Sequence, residues 1–224
     1  MASAEHFNEY IETVAKKLVP DVKIRYKNTS WLMKLIAVLV YPINRYFMTE
    51  YTTVLGTTVY FPSREWLQAR YTRAISIMSH ELVHLVDRSS EKKLMFEIKY
   101  MFPQILGLFS IFAVLAFISP WFLLFLGFLV CLAPWKAVYR LRYEATAYCM
   151  SMHYQEIIKD SFDFTYWVNV YASELSGSSY YYPTRKREVA AREISNRYDW
   201  CAKNHPACIA SIMWLEAQRA KGYI

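Results

Sequence analysis

From Tyr100 to Trp135 the chain carries no charged residue. No other stretch constrains the fold as strongly. As one straight helix it would be about 54 Å long, far beyond a roughly 30 Å hydrocarbon core. Ser119-Pro120 lies near its middle, and Pro103 and Pro134 sit near its ends. Proline removes a helix donor and clashes with the preceding turn, so this punctuation predicts two helices of about 16 residues joined by a turn. Each is short for a full span. A shallow or locally thinning membrane hairpin is therefore expected over residues 101–135. The competing expectation is a hairpin buried in protein.

Just before this run stands Ser79-His80-Glu81-Leu82-Val83-His84-Leu85-Val86-Asp87. On a helix, His80 and His84 lie one turn apart on the same face, so both imidazoles can reach one metal ion. Glu81 is rotated about 100° from His80, beside such an ion without ligating it, where a general base for a water would stand. A catalytic zinc takes three protein ligands, so a third must come from elsewhere. Glu144, His153, His205 and Glu156 are candidates. Glu144 stands out because Ala145 and Ala147 let its predicted helix approach another closely. Tyr148, one turn on, leans over the same face. Asp87, three residues after His84, is placed either to orient His84 or as a plain surface carboxylate.

Glu144 can meet His80 and His84 only if both helices end on one side of a membrane, so the apolar run must turn back. One spanning helix would forbid the site. Both flanks are basic: Arg88, Lys92, Lys93 and Lys99 before, Lys136, Arg140 and Arg142 after. That bias puts the site on the cytoplasmic side.

Composition agrees with lipid contact. The chain is 55% hydrophobic and 17% aromatic, with 20% charged residues and a formal charge of +7. That is apolar for a soluble enzyme, so some surface should meet lipid or another chain. A basic balance also fits nucleic acid, but no basic helix or aromatic RNA-binding motif supports that partner. The N-terminal stretch to Val19 is polar and amphipathic, unlike a signal peptide.

The remaining chain reads as helix-rich α+β. Helices are expected over Ser3 to Leu18, Arg64 to Arg88 as one piece, Lys136 to Ile158, Pro183 to Trp200 and Pro206 to Lys221. Val22 to Tyr26 alternates like a half-buried strand, and Tyr51 to Phe61 reads as a strand or tight hairpin around Gly56. Within it, Thr53 to Tyr60 is the candidate edge for pairing with an extended peptide. Trp31 to Tyr41 is too short to span. With Arg45, Tyr46 and Phe47 it reads as an interfacial segment or a core helix. Cys131, Cys149, Cys201 and Cys208 are expected to be reduced thiols, although Cys201 and Cys208 bracket His205 and could pair or join it at a metal.

The pentad, the double hydrophobic segment, and the Arg-rich approach to Glu144 with Ala147 three residues later together resemble the membrane zinc metalloproteases of the HtpX and CAAX prenyl protease type. The match covers about Arg64 to Ser151. Tyr148 stands where that family has Asp. The resemblance implies a gluzincin: a single zincin-like domain over residues 1–224 with a small sheet, an active-site helix and the inserted hairpin. It also implies His80, His84 and Glu144 as Zn²⁺ ligands and Glu81 as catalytic base. The expected activity is hydrolysis of peptide bonds in a peptide or protein substrate, at a membrane. Tyr148, His153, His205 and the Tyr180-Tyr181-Tyr182 run are candidate oxyanion donors. The rival expectation is a zincin-fold membrane-anchoring subunit with little or no turnover.

Overall fold

The computed structural model describes residues 3–41, 44–133, 135–177 and 183–223. It is helix-rich with one small mixed sheet. The helices, in chain order, are α1 (Ala4–Tyr10), α2 (Lys16–Leu18), α3 (Trp31–Val40), α4 (Arg64–Ala69), α5 (Tyr71–Ser90), α6 (Lys93–Met101), α7 (Val138–Ile158), α8 (Phe164–Leu175), α9 (Arg187–Asn204) and α10 (Pro206–Ala220). A π-helical stretch, Ile11–Ala15, joins α1 to α2. The strands are β1 (Lys23–Tyr26), β2 (Thr53–Leu55) and β3 (Thr58–Phe61).

The elements start where side chains satisfy the orphan amides of a first helical turn. Ser30 caps α3 by accepting from the Met33 amide, Ser63 caps α4 through Trp66, and Asp163 caps α8 through Tyr166. Arg70, at φ −143° and ψ 43°, breaks the expected single helix between Arg64 and Arg88 into α4 and α5. No proline or glycine marks that break, which is why periodicity ran through it.

The sheet order is β1-β3-β2. β1 and β3 are parallel, with Lys23 opposite Thr58 and Tyr26 opposite Phe61. β3 and β2 form an antiparallel hairpin whose turn uses Gly56 at φ +65°, a conformation that glycine adopts without strain. The segment expected to offer one edge is therefore split: β2 is an edge, whereas β3 is central.

The chain divides into two compact units. The first comprises Met1–Ser89, Ala147–Phe162 and Tyr198–Ile224. It holds the sheet, and its fully buried side chains include Tyr10, Met33, Phe61, Met78, Leu82 and Met150. The Tyr10 hydroxyl and Ser211 Oγ lie 2.7 Å apart, and the Tyr10 ring meets Trp214 edge-on, tying α1 to α10. Tyr154 donates to the Thr72 carbonyl at 2.6 Å, tying α7 to α5. Cys201 and Cys208 form a disulfide with Cα atoms 6.0 Å apart, correcting the expectation of reduced thiols.

The second unit comprises Ser90–Thr146 and Asp163–Arg197. It contains the apolar run, folded into two 3₁₀-helical arms, Gln104–Phe117 and Pro120–Leu132, that turn at Ile118-Ser119. The arms pack antiparallel through Phe109 on Phe128 and Phe112 on Phe125. At their base, a Cβ on Gly107 would meet the Leu132 side chain, which would have to shift to admit it. Gln104 donates to the carbonyls of Ala133 and Trp135 and accepts from Arg140, closing the hairpin's mouth. Outward side chains are bare: Phe117 is 80% exposed and Trp121 75%. These side chains are not covered by any of the described residues. No single described helix is long and apolar enough to cross a membrane; α6 and the first arm qualify together but are bent by 90°.

These packing differences give a stability contrast. Leu82→Ala should lower the unfolding free energy by about 2–5 kcal/mol, read by chemical denaturation. Leu124→Ala on the exposed face of the hairpin should change it by less than about 0.5 kcal/mol.

Candidate metal centre

α5 carries the pentad with its apolar side inward. Ile75, Met78, Leu82, Leu85 and Val86 are buried, and they hold His80 and His84 in register. α7 is buried at every residue from Glu144 to Tyr154. A helix enclosed on all sides belongs to a core, and the small Ala145 and Ala147, both 0% exposed, fit that enclosure.

Ligand atoms of His80, His84 and Glu144 all lie within 4.8 Å of one another. Donors around a tetrahedral ion at about 2.1 Å stand roughly 3.4 Å apart, so the set closes on an ion with small side-chain movements. Two imidazoles and a carboxylate are a chemically suitable donor set. Glu144 is 2% exposed, and a carboxylate so deeply buried needs a cation or donors beside it. The group can therefore hold a metal ion.

The surroundings orient the donors. His80 Nδ1 lies 3.2 Å from Ser151 Oγ. In the tautomer whose Nδ1–H donates to that hydroxyl, Nε2 keeps its lone pair free to ligate. The His80 ring meets His84 edge-on at 5.1 Å and Tyr148 at 4.9 Å. The Tyr100 hydroxyl donates to Glu144 Oε1, and Arg140 Nε donates to the Tyr100 carbonyl at 3.0 Å. One hydrogen-bonded chain thus runs from the hairpin base to the candidate ligand. Glu81 is half-buried on α5 beside His80.

Three other expected site residues are placed elsewhere. His153 is nine residues beyond Glu144, half a turn out of phase on the same helix. Its Nδ1 lies 3.2 Å from Glu156 Oε2, its Nε2 lies 3.2 Å from the Tyr198 carbonyl, and its ring stacks on Tyr198. The His80, His84 and Glu144 group does not include it, and Glu156 stands beside it. Asp87 Oδ1 lies 3.1 Å from His205 Nε2, so Asp87 pairs with His205 instead of orienting His84. His205, 4% exposed, is held there at the start of α10 inside the disulfide loop. The Tyr180-Tyr181-Tyr182 run lies outside the described residues.

Two contributors were missed. Ser151 was legible, because 144, 148 and 151 follow the i, i+4, i+7 spacing of one helical face. Tyr100 carried no sequence signal beyond opening the uncharged run. Lys27 is a third surprise. It is 0% exposed, with its Nζ donating to the Phe47 carbonyl at 2.6 Å over the Phe47 ring. Burial pulls its ammonium from 10.5 down to about 7, and the charge of Glu81 opposes that shift.

No protein-family model matches the chain, and neither a curated protein nor a solved structure does.

Removing the Tyr100 hydroxyl in Tyr100→Phe should weaken metal binding by about 10- to 100-fold, measured by competition with a chromogenic chelator. Lys27 gives a pH signature. Between pH 7 and 10.5 the unfolded chain holds a proton that the folded chain lacks, so stability rises with pH across that window. In Lys27→Met that rise should flatten, as read by thermal denaturation across the window.

Proposed function

We propose that the protein is a membrane-associated zinc endopeptidase of gluzincin type, with His80, His84 and Glu144 as ligands and Glu81 as general base. The observation that carries this reading is the convergence of the three donor groups within 4.8 Å, although an apolar hairpin separates Glu144 from the histidines in sequence. The chemistry of the pentad supplies the rest: two imidazoles one turn apart and a carboxylate next to the first of them.

When bound, zinc supplies Lewis acidity and makes a water acidic enough to attack near neutral pH. Glu81 accepts the proton of the attacking water and returns it to the leaving amine. Ser151 and Tyr100 hold His80 and Glu144 in their ligating orientations. Tyr148, packed edge-on to His80, is the nearest candidate donor to a developing oxyanion. The exposed edge β2 is the place for an extended peptide to pair.

The hairpin supports membrane association. At roughly 2.0 Å per residue, its first arm reaches about 28 Å, close to a roughly 30 Å hydrocarbon core. Winding as 3₁₀ helix thus lengthens arms that would be short as α-helix. Two arguments about sidedness conflict. The basic flanks favour the cytoplasmic face, whereas the Cys201–Cys208 disulfide belongs in an oxidising compartment. On the cytoplasmic face the pair would be held reduced, so alkylation of cells lysed directly into denaturant should modify Cys201 and Cys208, both 0% exposed in the folded chain. Protection of that pair would place this unit on the opposite face.

The purified wild type should hold near-stoichiometric zinc and cleave a peptide library. Glu81→Gln should keep the zinc and lose cleavage. Absence of zinc would end the metallopeptidase reading. Zinc without cleavage in the wild type would leave a zincin-fold membrane-anchoring subunit. Carbonate extraction should leave the chain with the membrane, and release would overturn the membrane hairpin.

A further inference from the structure

α3 presents a second apolar surface, distinct from the hairpin and built differently. Met33 is buried, at 0% exposure, and the opposite side of the helix faces outward. Trp31, Lys34, Leu35, Val38 and Tyr41 recur at helical spacing along that side, and all are exposed. A stripe of this kind is ordinarily turned inward. Here aromatic residues mark its two ends, and one lysine stands among the aliphatic side chains.

The neighbouring edge of the sheet adds charge. Lys23 and Arg25 alternate along β1, both exposed. Lys23, Arg25 and Lys34 make no ion pair among the described residues. Arg25, Thr29, Ser30 and Trp31 line one open groove where β1 meets the start of α3. The groove brings together a cation, two hydroxyls and an indole.

We propose that the outward stripe of α3 and the basic edge of β1 form an in-plane docking surface for an anionic lipid bilayer, with the groove taking a headgroup phosphate. The stripe is too short to span and lies along the interface instead. Trp31 and Tyr41 suit the headgroup level, where their rings are half wet. Lys34 can bury its stem against acyl chains while its ammonium stays with the phosphates. A protein groove would leave that ammonium without water or a counter-charge, whereas anionic headgroups supply both. The three unpaired cations make the same choice between neutral and anionic lipid, and salt should weaken binding.

The test uses the full chain with an environment-sensitive fluorophore on Val38→Cys in a Cys131→Ser background. Cys149 is buried and Cys201 is bonded to Cys208, so the introduced thiol takes the label. A second protein carries the label on Leu124→Cys in the hairpin. The Val38 label should shift to the blue and brighten several-fold on phosphatidylcholine vesicles containing phosphatidylglycerol. It should respond little to phosphatidylcholine alone. Arg25→Glu with Lys34→Glu should weaken the Val38 response several-fold and leave the Leu124 response in place. The proposal is overturned if Val38 stays in water while Leu124 enters the bilayer, or if neutral vesicles serve as well as anionic ones. Brightening with protein concentration and no vesicles would assign the stripe to a second copy of the chain and also overturn it. Neither arm involves metal or turnover, so failure here and failure of the peptidase reading are distinguishable.

Discussion

The structure depends on holding a carboxylate and two imidazoles side by side where water is scarce. Glu144 is 2% exposed and His80 9%. Burying an ionised carboxylate without compensation costs several kcal/mol, and the chain offsets this with the Tyr100 hydroxyl on Glu144 and Ser151 on His80. Arg140, on α7, bonds the Tyr100 carbonyl and Gln104.

Those bonds link the hairpin to the site. Gln104 closes the mouth of the hairpin by bonding Ala133 and Trp135, Arg140 bonds Gln104 and Tyr100, and Tyr100 bonds Glu144. The insertion is therefore more than a tether. Its base supplies the groups that orient one donor. The same unit is braced by Lys99 and Tyr143 on Glu91, whose carboxyl the Lys99 hydrogen bond holds below the usual carboxylate range.

What could be read from the sequence was what depends on spacing. His80 and His84 at i and i+4, the turn in the apolar run, and Glu144 beside two small alanines all follow from periodicity and proline chemistry. What could not be read was what depends on which helix lies behind. His153 and Asp87 each sat at a plausible sequence distance, yet Tyr198 and Glu156 take the first and His205 takes the second. The Cys201–Cys208 pair was open between three fates, because seven residues allow pairing but do not require it. The break at Arg70 had no glycine or proline to announce it. The 3₁₀ winding of the hairpin arms has no pattern in a uniformly apolar run. A three-stranded sheet beside a long buried helix occurs in many folds and does not by itself define a zincin topology.

α7 shows why one helix can carry so much of this and still look featureless in sequence. Its enclosure from Glu144 to Tyr154 removes the polar face that makes a helix amphipathic. Function then has to be found by phase. Glu144, Tyr148 and Ser151 share one face and meet the candidate centre, whereas His153, half a turn away, serves the Tyr198 contact. Glu144 and Ser151 are about 10.5 Å apart along a rigid helical rise. The hydroxyl beside His80 Nδ1 and the carboxylate that completes the donor set are thus positioned by the same element. A substitution that kinks α7 between them would misplace both partners at once, even though it touched neither histidine.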